Sequence, residues 1–185
     1  MRFKVLQATA AILAATALTA NAQMTTKDAP GVSADGAIQV PDVDYRKDWA
    51  FLGTYSVLGE DGNGAGDLHT VYTQPETVAA YRETGTFPDG AVLIKELFKT
   101  ETADLTTGRA SWATERAGWF VMVKDSADSF PDNPLWGDGW GWAFFGADDP
   151  TTTTTTDYKA ECLECHEPVR DTDLSYVQGY PVLKQ

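Results

Sequence analysis

The chain has 185 residues, with 27 acidic against 14 basic side chains and a formal net charge of −13. A surface this acidic repels phosphate backbones and anionic lipid headgroups, which argues against nucleic acid or a membrane surface as partners. It would steer a basic redox protein inward, although the same charge also serves plain solubility.

In chain order, Arg2 and Lys4 precede an apolar run from Ala8 to Leu18 that is too short to span a bilayer. Ala20-Asn21-Ala22 then supplies the small residues of a cleavage site. Residues 1–22 read as a secretory signal, whose loss leaves 12 basic against 27 acidic residues and a formal charge of −15. Residues 23–43 are rich in Ala, Gly, Asp and Pro without an apolar period and read as a flexible leader, so that a single domain is expected over 44–185. Strand-like runs follow at Phe51 to Leu58, Leu68 to Thr73, Val92 to Phe98, Trp119 to Lys124 and Trp140 to Phe145. One helix is predicted from Pro75 to Arg82, opened by Pro at its first position and closed near Gly85. A second is predicted from Asp157 to Cys165, stopping before Pro168, after a low-complexity linker of six threonines from Thr151 to Thr156. Strands without regular helical crossovers predict an α+β fold: a mostly antiparallel β-sheet with a few short helices, one of them C-terminal and bearing the cysteines.

Two cysteines in an exported chain ordinarily predict a disulfide, but here they stand in Cys162-Leu163-Glu164-Cys165-His166. Two intervening residues let two thiols reach the two vinyl groups of one porphyrin, and the histidine that follows meets the iron. This predicts one covalently bound haem c per chain, held by Cys162 and Cys165, with His166 as axial ligand. A zinc site lacks a full ligand set, and a thioredoxin-like dithiol lacks its βαβ surroundings. A short-loop disulfide is the third alternative. Opposite His166 the possible ligands are His69 and Met122, with Met24 near the mature terminus; the first two sit on apolar strand faces and read as core side chains. A five-coordinate iron with an open, aromatic-lined side is therefore expected.

Several segments together resemble the cytochrome P-460 family and the related β-type cytochromes c′. They are Tyr45-Arg46 to Trp49, Phe87-Pro88-Asp89-Gly90 before the strand with Lys95, Trp119 to Asp125, Gly139-Trp140-Gly141-Trp142, and the haem motif with Tyr180-Pro181 beyond it. The resemblance implies a periplasmic homodimer acting on a small nitrogen-oxide substrate or ligand. The activity would be oxidation of hydroxylamine, sometimes with nitric oxide; the alternative is a non-catalytic haem protein that binds nitric oxide or only transfers electrons. It also implies a lysine bonded to the porphyrin edge, and the matching position is Lys95. Strand alternation agrees, because it puts Lys95 on the face of Leu93 and Leu97, where an unpaired ammonium is costly and burial favours the neutral amine. The alternatives are a stem lying over that face with its head in water, or a carboxylate partner. Relatives use a distal carboxylate as proton acceptor; here the weak candidates for the distal side are Glu115, in a segment from Glu101 to Arg116 that could hide an insertion, and Arg46 as a distal charge.

Overall fold

A computed structural model describes residues 24–184, so the signal read in residues 1–22 lies outside the described residues. Six strands form one antiparallel sheet in the order β1-β2-β3-β4-β6-β5. They are β1 (Ala50–Leu58), β2 (Ala65–Thr73), β3 (Val92–Leu105), β4 (Gly108–Lys124), β5 (Trp136–Gly137) and β6 (Trp140–Gly146). With two short α-helices, α1 (Tyr45–Asp48) and α2 (Pro75–Thr84), and a helical C-terminal region, this is the α+β architecture the sequence predicts. Helix α2 begins at Pro75 and ends on Gly85, whose φ of +78° suits the left-handed cap and lets its N–H donate to the Tyr81 carbonyl at 2.7 Å.

Both faces of the sheet are covered, which is why its central strands read as nearly continuous apolar runs. On one face Val92 and Ile94 of β3 pack with Trp119, Val121 and Val123 of β4. On the other, Leu93, Met122, Trp140 and Trp142 meet Val78 of α2 and the C-terminal residues Tyr158, Cys162, Leu174 and Tyr180. Full burial of each such side chain contributes about 1.5–3 kcal/mol.

Three segments differ from the sequence expectation. Residues 24–43, read as a flexible leader, pack onto the first of these faces: Ala29 and Ile38 are buried, and Thr26 Oγ1 donates to the Lys124 carbonyl at 3.0 Å. The segment from Glu101 to Arg116 is a two-stranded extension of β3 and β4, with Leu105 opposite Gly108. Thr102 and Ser111 share a hydroxyl hydrogen bond of 2.6 Å across it. The threonine run is anchored as well: Thr154 N–H donates to the Phe144 carbonyl, and the buried Thr155 hydroxyl accepts from Phe144 N–H, each at 2.9 Å.

Candidate functional site

A cavity of about 490 Å³ lies between the second face of the sheet and the C-terminal region. Register places its sheet wall: Val71 of β2 stands opposite Lys95 of β3, which stands opposite Phe120 of β4, while Leu93 pairs with Met122 and Met122 with Trp142 of β6. Directly opposed residues share a face, so these side chains form one patch.

The opposite wall is the cysteine-bearing segment, a π-type turn over Lys159–Leu163 followed by an α turn over Glu164–His166. The predicted helix therefore forms, but it does not stop before Pro168, because Pro168 enters a 3₁₀ stretch over Glu167–Thr172 at a position where its missing N–H costs nothing. Cys162, Cys165 and His166 all line the cavity, and both thiols are free. The segment is held from several sides. Tyr158 stacks on Trp142 at 6.1 Å, its hydroxyl donates to Asp138 at 2.8 Å, and the Tyr176 hydroxyl donates to the Cys165 carbonyl at 2.6 Å.

His166 sits edge-on to Trp142, with ring centroids 4.9 Å apart. Its Nδ1 is 2.6 Å from the Leu174 carbonyl, an acceptor-only partner, which fixes the proton on Nδ1 and leaves the Nε2 lone pair free. Burial, with a smaller contribution from the Lys95 charge, holds this imidazole below its ordinary pKa, so it is neutral near pH 7. Burial first, then the Glu161 charge, pushes the Cys162 thiol up to about 11. Among the described residues no group of three or more His, Cys, Asp or Glu could hold a metal ion.

Lys95 lies on the same cavity. Its Nζ is 4.3 Å from the Phe120 ring centroid, and among the described residues it has no carboxylate partner. Burial lowers its pKa, and both cysteines are near enough to act on it electrostatically. The fold thus brings together Lys95, Cys162, Cys165 and His166, whose extremes lie 71 positions apart in the chain. Apolar walls, paired thiols and an imidazole with its free nitrogen available fit a porphyrin carrying iron.

Two other predicted residues lie elsewhere. Arg46 clasps Glu96, at 2.6 Å from Nη2 and 3.1 Å from Nε, and Glu96 follows Lys95, which puts the pair on the opposite face of the sheet. Glu115 is on the exposed hairpin extension, paired with Lys99 at 3.0 Å. Neither lines the cavity, because alternation and hairpin length carry both away from it. His69 and Met122, read as core side chains, both reach the cavity wall, though Met122 also packs in the core. Burial and then the Lys95 charge lower the His69 pKa. The acidic residue on the described lining is Glu161, whose Oε1 is occupied by N–H groups of Thr156 and Asp157 at 2.9 and 3.1 Å.

The family model described as Cytochrome P460 matches residues 42–177, most of the chain. A search among curated proteins finds no match.

Proposed function

The chain belongs to the cytochrome P460 family, which makes it a haem cytochrome, and on that premise we propose a periplasmic oxidoreductase of hydroxylamine, acting with or without nitric oxide. In this reading Cys162 and Cys165 would hold one haem c and His166 would ligate its iron, leaving room for a small ligand in the cavity. The arrangement that carries it is the convergence of Cys162, Cys165, His166 and Lys95 on one apolar cavity. When bound, the haem supplies an iron that takes the substrate nitrogen and a conjugated edge through which electrons leave. The protein's own part is positioning and proton transfer. His166 presents Nε2, because Leu174 holds Nδ1–H. Phe120, Leu93 and Val71 keep water from the sheet side of the cavity. His69 is the lining imidazole whose lowered pKa leaves it able to accept a proton from substrate near neutrality, a role that a carboxylate fills in relatives. Export through residues 1–22 puts the chain where a basic redox protein can collect its electrons, steered by the acidic surface.

The apolar sheet wall and the engaged state of Glu161 favour a second reading of different class, a non-catalytic nitric oxide binder. Steady-state oxidation of hydroxylamine with an artificial electron acceptor separates the two. Turnover by matured protein is expected, and its absence in protein carrying a full complement of haem assigns gas binding instead.

A further inference from the structure

We infer that the ion pair between Lys124 and Asp173 is a positioning device for the iron ligand, fixing the carbonyl that holds His166; this rests on the reading of His166 as that ligand. The carbonyl belongs to Leu174, eight residues beyond His166. It is delivered by an uncommon backbone: Asp173 and Leu174 both adopt the left-handed region, with φ of 59° and 55°. For residues with a Cβ that conformation is unfavourable, and leucine has no short polar side chain to offset it locally. Two in succession persist only where their surroundings hold them.

Those surroundings run back to the sheet. Lys124, the last residue of β4, is fixed by its N–H donating to the Ala91 carbonyl at 2.8 Å and by its carbonyl accepting from Gly90 N–H at 3.0 Å. Its Nζ lies 5.0 Å from the Trp140 ring centroid and 2.6 Å from Asp173 Oδ1, with only 9% and 18% of the two side chains exposed. Trp140 adds a second tie, its indole N–H donating to the Asp173 carbonyl at 3.0 Å. The Leu174 side chain is buried among the core residues, and its N–H donates to Val169 at 3.1 Å. A cation at the end of a central strand thus holds a carboxylate, the carboxylate holds a strained turn, and the turn holds the imidazole. A hydrogen bond to Nδ1–H raises the basicity of the ligating nitrogen, so the pair adjusts the iron without touching it.

The test is resonance Raman spectroscopy and redox titration of the matured holoprotein. In wild type, ferrous protein should show an iron–histidine stretching band. In Lys124→Met that band should move to lower frequency and the reduction potential should become more positive at unchanged haem content, while Lys124→Arg should restore both. If Lys124→Met fails to mature, Asp173→Asn is measured with the same expectation. A band and potential identical to wild type in either charge-removing variant overturn the inference. Absence of any iron–histidine band in wild type overturns instead the reading of His166 on which it rests.

Discussion

Lys95→Met should leave haem attached to the chain while removing any long-wavelength displacement of its absorption bands and diminishing any hydroxylamine turnover. The expectation follows from the site. Lys95 is half-buried beside the cavity that both thiols line, lacks a carboxylate partner among the described residues, and has its pKa lowered by burial, which makes its neutral amine easier to reach than that of an exposed lysine. Joining that amine to a porphyrin carbon would break one N–H and one C–H bond and release two protons and two electrons, so the bond would form only where a two-electron oxidant such as a peroxide takes the electrons. A porphyrin tied at two cysteines and a strand amine is distorted, and distortion shifts its spectrum. Peptide mapping reads the bond directly. Trypsin does not cut after a modified lysine, so Glu83 to Lys99 should appear uncut at Lys95 and joined through haem to Ala160 to Arg170. A free peptide ending at Lys95 in high yield contradicts the bond and leaves the nitric oxide binder as the better description.

The second large effect is on stability. Glu96, 1% exposed, accepts hydrogen bonds from the Tyr45 hydroxyl at 2.9 Å, from Arg46 at 2.6 and 3.1 Å and from Arg116 at 3.2 Å. The Tyr45 oxygen in turn accepts from the Trp119 indole at 2.9 Å, so one carboxylate organises the sheet face opposite the cavity. Glu96→Ala leaves two guanidiniums and a buried phenol without their acceptor. Removing one member of a buried charged cluster costs about 3–5 kcal/mol, and the partial exposure of Arg46 and Arg116 lets them rehydrate, which puts the expected loss near ~3 kcal/mol. For a domain of this size that lowers Tm by about 6–12 °C. Glu96→Gln, which keeps an acceptor in place, should lose less. Thermal unfolding followed by far-ultraviolet circular dichroism measures both, and an alanine variant within ~1 kcal/mol of wild type contradicts the network.

What the sequence made legible, and what it hid, follows from where each residue's partners come from. Val92 to Phe98 and Trp119 to Lys124 were readable because strands covered on both faces keep apolar residues at successive positions. The alternation that put Lys95 beside Leu93 also holds. The hairpin beyond Phe98 is hard to read, because its few apolar residues, Leu105 and Trp112 among them, are scattered between threonines and charged residues and keep no sustained alternation. Residues 24–43 read as loose because only scattered side chains such as Ala29 and Ile38 anchor them. Arg46 and Glu96 could have been paired from the sequence by asking which cation meets an acid inside an apolar strand, but their 50-residue separation hides the answer until the register is known. His69 reads as core from the sequence because alternation identifies a face and not whether that face is filled or hollow. The carbonyl on His166 depends on a left-handed leucine, which has no sequence signature.

Haem retention after denaturation and acid-acetone extraction tests the central claim most directly. The wild-type polypeptide should keep its haem, and the double variant Cys162→Ala with Cys165→Ala should release it. A colourless wild-type polypeptide with free porphyrin in the extract would contradict covalent attachment at Cys162 and Cys165.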